Sequence, residues 1–220
     1  MRPTTPCTSW TSPRRSSVRT TVILVAAFAA AAAVAADGPR DVVKRMADDV
    51  IAVLKDKSVT GDAKRHRVEQ IVYAGVDFPT LSRLVLARNW GRFSPDEQAR
   101  FENEFKEHLS VTYGRSVDSY KNETLSILSD REEARGDWTV KTKVNRGGGP
   151  DDIMVDYRLR QVSGEWKIID VIVEGVSLVS NFRSQFQDLL GSKTPAELIE
   201  LIHDKNARGE SFEGAPKPRT

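Results

Sequence analysis

The stretch Ile153–Val173 reads IMVDYRLRQVSGEWKIIDVIV. Its first half places apolar side chains at alternate positions, and the dipeptide Ser163-Gly164 separates it from a second apolar run that begins at Trp166. Alternation with a period of two is typical of a half-buried β-strand, and a two-residue turn of this kind joins antiparallel strands. The stretch therefore predicts a β-hairpin that covers a core with one face.

Two further strands precede this hairpin. Trp138–Val144 alternates in the same way and is followed by a turn at Gly147–Pro150, while Thr124–Leu128 predicts one more strand. Ile168–Val173 is apolar on both faces, which predicts a strand covered from both sides. We therefore expect a twisted antiparallel four-stranded sheet.

Helical periodicity flanks the strands on either side. Apolar residues recur at three- and four-residue steps, and capping boxes at Ser94 and Thr194 mark two helix starts. The helical segments are Asp41–Lys55, Asp62–Ala74, a short helix from Phe78, a long helix from Pro95 through Val117, Val176–Leu190 and Pro195–Ala207. The predicted fold class is α+β, with helices wrapped around the sheet.

The first 36 residues differ from the rest of the chain. They carry four arginines and no acidic residue. They end in the apolar run Val22–Ala36, in which Ala33-Val34-Ala35 forms a small-x-small site. Such an order is typical of a secretory signal peptide, whereas a membrane-spanning helix needs about 20 apolar residues. We expect cleavage near Ala36, one folded domain at 37–208 and a disordered tail at 209–220.

Removal of that segment changes the charge. The whole chain has 33 basic and 31 acidic residues, a net charge of +2, and loss of the four arginines leaves 29 basic residues against 31, a net charge of −2. Cys7 is the only cysteine and is lost as well, which excludes a disulfide within the mature chain. A near-neutral domain is not expected to bind nucleic acid, which requires clustered basic residues.

Residues that carry chemistry are sparse. His66, His108 and His203 have no second His or carboxylate at metal-ligand spacing, and we expect each on a charged helix surface. No phosphate-binding glycine loop and no zinc-binding HExxH motif is present in the sequence. Asp170 and Glu174 lie on an apolar strand and could act as an acid–base pair, although a role as turn or cap partners is favoured.

Apolar side chains, by contrast, are abundant on several elements at once. The stripe of the long helix, the strand faces and the Val176–Leu190 segment can form a packed core, or they can enclose an apolar cavity. The pattern alone leaves both alternatives open.

Four stretches carry a resemblance to a known family. They are Val76–Leu86 (VDFPTLSRLVL), Val155–Leu159 (VDYRL), Gly164–Val171 (GEWKIIDV) and Glu174–Phe186 (EGVSLVSNFRSQF). In this order they resemble the MlaC, or toluene-tolerance Ttg2, family over roughly Asp37 to Asp204. The chain departs from the family pattern at Ala87-Arg88, where a glycine-containing turn is expected, and at Ile169, where an aromatic residue is frequent.

The resemblance implies a periplasmic carrier of glycerophospholipid and not an enzyme. The family's fold is a cone of NTF2-like shape, in which a twisted sheet and helices enclose an apolar lipid cavity. The implied partners are an inner-membrane ABC transporter with an MCE-domain ring and an outer-membrane lipoprotein complex, in a pathway that maintains outer-membrane lipid asymmetry. Three alternatives remain: a hopanoid-associated carrier of the same family, an NTF2-like enzyme that uses Asp170 or Glu174, and a periplasmic adaptor with a dry core.

For the cavity we predict an apolar lining and a basic headgroup rim or docking surface. The lining residues are Leu81, Val85, Phe105, Leu109, Ile153, Val155, Ile172, Val176, Val179 and Phe182. The basic residues are Lys141, Lys143, Arg158 and Arg160, on the polar faces of neighbouring strands. No catalytic residue, metal ligand or cofactor is expected; the implied cargo is a bound glycerophospholipid.

Overall fold

The computed structural model describes residues 37–146, 152–212 and 214. The predicted signal peptide at 1–36 and the predicted turn at 147–150 lie outside the described residues.

The described chain runs from helices through a sheet and back to helices. The first helices are α1 (Pro39–Lys55), α2 (Gly61–Gly75), α3 (Phe78–Leu86) and α4 (Pro95–Tyr113). The strands are β1 (Thr124–Glu132), β2 (Trp138–Asn145), β3 (Ile153–Val162), β4 (Glu165–Val173) and β5 (Val176–Ser177). The last helices are α5 (Leu178–Leu190) and α6 (Pro195–Arg208), and 3₁₀ turns follow α3 (Ala87–Arg92) and α4 (Gly114–Ser119).

The strands form one antiparallel sheet in the order β1-β2-β3-β4-β5. The sheet has five strands and not the predicted four, because Val176 and Ser177 pair with β4 before the chain becomes helical at Leu178. The turns Ser163-Gly164 and Glu174-Gly175 both have positive φ at their two residues. Such turns match the twist of the strands that they join, so each holds a tight hairpin.

One core lies between the concave face of the sheet and the start of α1. Val42 and Val43 of α1 pack against Val140, Leu159 and Ile168. The prediction that β4 is covered on both sides is confirmed, because Ile168, Ile169 and Asp170 are all buried.

A second core holds the helices together. Phe101 and Phe105 of α4 contact Phe182 and Phe186 of α5, with ring centroids between 5.1 and 5.7 Å apart. Large aromatic rings in edge-to-face contact contribute beyond their buried area. The two predicted capping boxes are confirmed at the starts of α4 and α6.

The prediction for His108 was wrong, because this residue is fully buried between α4 and α6. Asn206 donates its amide to the backbone oxygen and a side-chain oxygen of Glu104, which turns its own Oδ1 toward His108 Nδ1 at 2.9 Å. Phe182 and Phe212 pack edge-on against the imidazole. His108 lies on the apolar stripe of α4. A polar ring can be buried at such a position when a partner side chain forms a hydrogen bond with it.

The tail prediction also needs correction at Phe212. This residue is buried in the helical core against His108 and Phe186, so the ordered chain continues past Arg208. A single aromatic side chain can anchor a segment that otherwise contains little to pack. Residues 213 and 215–220 lie outside the described residues.

Ala87 adopts a backbone conformation that favours glycine. It ends α3 with φ +48° and ψ −120°, at the position where the family pattern leads us to expect a glycine-containing turn. A side chain in this region is strained by about 1–3 kcal/mol.

We predict that Ala87→Gly stabilises the protein by about 1 kcal/mol, because it relieves this strain. Ala99→Gly is the matched control: Ala99 is exposed within α4 and has helical geometry, so the same exchange there should cost about 1 kcal/mol. Urea unfolding of both variants gives the two values. A loss of stability in Ala87→Gly would contradict the assignment of strain.

A pH effect follows from His108. Burial, and secondarily the charge of Lys205, lowers its pKa in spite of the bond to Asn206. Below about pH 6.5 the unfolded chain therefore takes up a proton that the folded chain refuses, so the free energy of unfolding falls as the pH drops. We predict that His108→Gln makes this decline between pH 7.5 and 5.5 shallower, measured by urea unfolding. A His108→Gln protein whose slope equals that of the unsubstituted protein would refute the prediction.

Candidate ligand-binding cavity

A cavity of about 460 Å³ lies between the concave face of the sheet and the helices α1 to α4. Its size falls within the range of small-molecule sites. Apolar side chains from α1, α2, α3 and the sheet supply most of its wall, among them Met46, Val50, Ile51, Leu54, Val68, Val72, Phe78, Val144, Ile168, Val171, Val173 and Leu178.

The cavity lies where the apolar face of α2 is left unburied. No residue of α2 is buried, although Val68 and Val72 are apolar and lie on the side that faces the cavity. α1 packs against the sheet core through Val42, Val43 and Met46, and its later residues Val50 and Leu54 line the cavity. The space between the two cores therefore remains open.

Polar contacts at its edges hold α2 in place. Lys64 donates to the backbone oxygen of Leu54 at 2.9 Å, and Arg65 donates to Asp118 at 2.8 Å. Glu69 accepts a hydrogen bond from Ser110 of α4. These contacts are partly exposed, and exposed ion pairs are each worth at most about 1 kcal/mol. α2 is therefore held against its neighbours in part by weak polar contacts.

The tyrosines of the lining are neutral at physiological pH. Burial raises the pKa of Tyr157 to about 12 and raises the pKa of Tyr113 further. The charged residues that line the cavity, among those the structure describes, are Arg65, Glu69 and Glu123. The wall is otherwise suited to aliphatic chains.

The structure divides the predicted lining residues into three groups. Leu81 and Leu109 line the cavity. Val85, Phe105, Val179 and Phe182 pack instead inside the helical core.

The predicted lining residues of the sheet lie elsewhere. Ile153 and Val155 are buried on the same sheet face as the lining residues Val144 and Val173, but they do not line the cavity. Ile172 pairs with Asp156 on the opposite face, and Val176 is 46% exposed in the β4–β5 hairpin.

The sequence prediction missed the contribution of α1 and α2. Both helices carry apolar stripes, from which the sequence predicts faces that point inward. A stripe has the same period whether it meets a packed core or a cavity, so periodicity could not separate the two cases. A usable signal was present in α2, whose stripe is short and contains the charged residues Arg65 and Glu69 beside Val68 and Val72.

The predicted basic rim does not line the cavity in the described part of the chain. Arg160 makes a two-pronged ion pair with Asp137, with both N–O distances 2.7 Å, and Lys143 lies 3.1 Å from Asp152. Arg158 is exposed, and Lys141 is half-buried. Alternation along the strands turns all four away from the concave face.

Asp170 and Glu174 serve as turn and cap partners. Asp170 is buried and accepts hydrogen bonds from the Ser177 hydroxyl at 2.6 Å and from the backbone N–H of Val179 at 3.1 Å, at the start of α5. Glu174 is exposed and accepts from the backbone N–H of Met154 at 2.6 Å. Neither residue lines the cavity, which confirms the favoured interpretation of both.

Comparison with known proteins places this architecture in a family. Residues 44–204 match the MlaC protein family. The chain belongs to the MlaC family. The match spans the α+β unit from α1 to α6, so the cavity described above is a feature of the matched region.

Relatives of this MlaC-family chain carry informative names. It is 28% identical over 174 residues to the toluene tolerance protein ttg2D of Pseudomonas putida, over 77% of this chain and 80% of that protein. It is 23% identical over 118 residues to the intermembrane phospholipid transport system binding protein MlaC of Haemophilus influenzae, over 52% of this chain and 55% of that protein.

A solved structure has the same fold. The phospholipid-binding protein of Ralstonia solanacearum, determined in complex with a phospholipid, superimposes with a TM-score of 0.72 at 25% identity. The match covers 79% of this chain and 99% of the other. The predicted fold class is thereby confirmed, apart from the fifth short strand.

The described residues contain neither a metal-binding cluster nor a helix fit to span a membrane. No cluster of three or more His, Cys, Asp or Glu side chains there could hold a metal ion. Within the same residues, no helix combines the length and apolar character that a bilayer crossing requires.

We predict that Asp170→Ala lowers the free energy of unfolding by about 1–3 kcal/mol, because the Ser177 hydroxyl and the Val179 N–H lose a buried acceptor. The Asp170→Ala protein should bind an apolar fluorescent dye as the unsubstituted protein does, since Asp170 is not in the cavity wall. Glu174→Ala is the control and should cost less, because its bond is exposed. Loss of dye binding by a folded Asp170→Ala protein would contradict the structural role.

Proposed function

We propose that this protein is a periplasmic carrier that binds phospholipid and moves it between membranes. The observation that carries the proposal is the apolar cavity of about 460 Å³, in a fold shared with a protein solved in complex with a phospholipid. The names of the two curated relatives, a toluene tolerance protein and an intermembrane phospholipid transport binding protein, support the same function.

The energetics of lipid transfer support a carrier of this kind. Exposure of each methylene group to water costs about 0.8 kcal/mol, so an acyl chain of about 15 methylenes costs about 12 kcal/mol. Free diffusion of a two-chain lipid through water is therefore negligible. A guest that fills an apolar cavity of this size recovers contacts worth on the order of 11 kcal/mol, at about 24 cal/mol per Å³.

A carrier needs no catalytic group. It requires an apolar interior, a wall that can open and a fold that stays intact when the wall moves. The weakly packed helix α2 meets the second requirement, and the separate phenylalanine core meets the third. We therefore propose a function in binding and transfer, without chemistry at Asp170 or Glu174.

The signal peptide and the partners belong to the same proposal. The segment 1–36, acting as a signal peptide, would direct export of the domain to the periplasm. There it would exchange lipid with an inner-membrane ABC transporter that carries an MCE-domain ring and with an outer-membrane lipoprotein complex, and so maintain the lipid asymmetry of the outer membrane. The transport name of the Haemophilus relative supports this assignment.

Lipid extraction from the purified protein, followed by mass spectrometry, tests the carrier function. We expect glycerophospholipid in the extract, and the same spectrum distinguishes it from a hopanoid. A protein that contains no lipid and also fails to take up labelled phospholipid from vesicles would refute the proposal.

We predict that Val72→Trp weakens phospholipid uptake about tenfold, or by about 1.4 kcal/mol, because the indole would occupy the cavity that Val72 lines. Gln70→Trp is the matched control, since Gln70 is exposed on the same helix and the added ring would point to solvent. Vesicle-to-protein transfer of a labelled lipid measures both variants. Equal uptake by both folded proteins would show that the lipid binds elsewhere.

A further inference from the structure

Tyr113 brings a hydroxyl group to the part of the cavity wall that α4 supplies. It is the last residue of this helix, and Leu109 and Ser110, which lie four and three residues earlier, line the cavity as well. Residues at these spacings share one face of a helix. The side of α4 that carries Tyr113 is therefore the side that faces the cavity.

The other part of α4 fixes the position of this residue. Phe101 and Phe105 are fully buried in the helical core, where they contact Phe182 and Phe186 of α5. The same helix thus runs from the core to the cavity wall. A side chain on a packed helix is held more precisely than one on a loop, so Tyr113 is well placed to hold a bound molecule in one position.

The hydroxyl oxygen of Tyr113 is buried without a hydrogen-bond partner. Among the lining residues that the structure describes, no other side-chain N or O atom is both buried and unpaired. Ser110 donates its hydroxyl to Glu69, and the Tyr120 hydroxyl donates to the backbone oxygen of Glu123 at 3.3 Å. An unpaired buried polar group costs free energy, and native proteins contain few of them. The hydroxyl of Tyr113 is therefore suited to an acceptor that a bound molecule supplies.

The chemistry of the hydroxyl favours a neutral acceptor. Burial raises the pKa of Tyr113, so the phenol keeps its proton and can donate it in a hydrogen bond. Burial of an ionised group such as a phosphate costs far more free energy than one bond from a neutral donor offsets. The ester carbonyl oxygens of a glycerophospholipid are neutral acceptors, and they lie where the acyl chains begin. They therefore follow the chains furthest into an apolar cavity.

We infer that the Tyr113 hydroxyl donates a hydrogen bond to an ester carbonyl of the bound lipid, and that the protein thereby selects lipids with ester-linked chains over lipids with ether-linked chains. An ether oxygen is a weaker acceptor than a carbonyl, and an ether lipid leaves the hydroxyl unpaired. This inference rests on the proposed carrier function and adds to it the class of cargo and a residue that recognises it.

Competitive transfer from vesicles tests the inference. The full protein is mixed with vesicles that contain equal amounts of diacyl and dialkyl phosphatidylcholine with the same chain length, and the bound lipids are counted by mass spectrometry. We expect the ester-to-ether ratio to be about fivefold higher for the unsubstituted protein than for Tyr113→Phe, the factor that one hydrogen bond of ordinary strength supplies. Differences in how easily the two lipids leave the vesicle affect both proteins equally. The same ratio in both proteins would overturn the inference, whereas failure of the unsubstituted protein to bind either lipid would overturn the carrier function itself.

Ser82→Ala is the matched control. The Ser82 hydroxyl is also buried without a partner, but Ser82 lies outside the cavity wall, so this variant should keep the ester-to-ether ratio of the unsubstituted protein. A loss of the ratio in Ser82→Ala equal to that in Tyr113→Phe would overturn the assignment to Tyr113.

Urea unfolding of the lipid-free proteins gives a second measurement. Tyr113→Phe keeps the ring and removes only the unpaired hydroxyl, so its unfolding midpoint should be equal to or higher than that of the unsubstituted protein. Added diacyl phosphatidylcholine should then raise the midpoint of the unsubstituted protein more than that of Tyr113→Phe. A lower midpoint for lipid-free Tyr113→Phe would show that the hydroxyl bonds within the protein, and would overturn the inference.

Discussion

The packing of phenylalanine rings between α4 and α5 is the contact on which the rest of the structure depends. Phe101, Phe105, Phe182 and Phe186 are fully buried, and each ring meets at least two of the others. Burial of one such side chain contributes about 1.5–3 kcal/mol, and the ring contacts add to this. Because these helices are held by their own core, the fold does not need to fill the space above the sheet.

The cavity is the consequence of that division. A chain with a single core would have to collapse α2 onto the sheet, since protein interiors pack at the density of organic crystals. Here Val42 and Val43 pack against the sheet, the phenylalanine core joins α4 and α5, and α2 is held beside the cavity partly by polar contacts. A helix without a buried residue thus lies beside the cavity, where a carrier would have to open, as expected for regions that move in function.

Much of the fold could be predicted from local pattern. The hairpin around Ser163-Gly164, the capping boxes at Ser94 and Thr194, and the double-sided burial of β4 were all determined by residues that are close in sequence. The cavity wall could not be predicted in the same way. Val85 and Phe105 were expected in the lining and lie in the core, whereas α2 supplies lining that was not assigned.

Errors at single residues have the same origin. His108 lies on an amphipathic helix with charged neighbours, and only the approach of Asn206 and Phe212 from distant parts of the chain makes its burial possible. Ala87 is the opposite case. The sequence alone shows that alanine stands where the family pattern has a glycine-containing turn, and the structure confirms a positive φ at this residue.

The sequence by itself determined which residues form helices and strands, where they begin, and that the chain carries more apolar faces than its polar chemistry explains. These properties depend on interactions within a few residues or on a repeating period. The tertiary structure decided which apolar faces meet each other and which remain facing an open space. It also decided that Arg65, Glu69 and Glu123 are among the residues that line the cavity. A period records the direction of a side chain relative to its own backbone, and what lies in that direction depends on how distant segments pack.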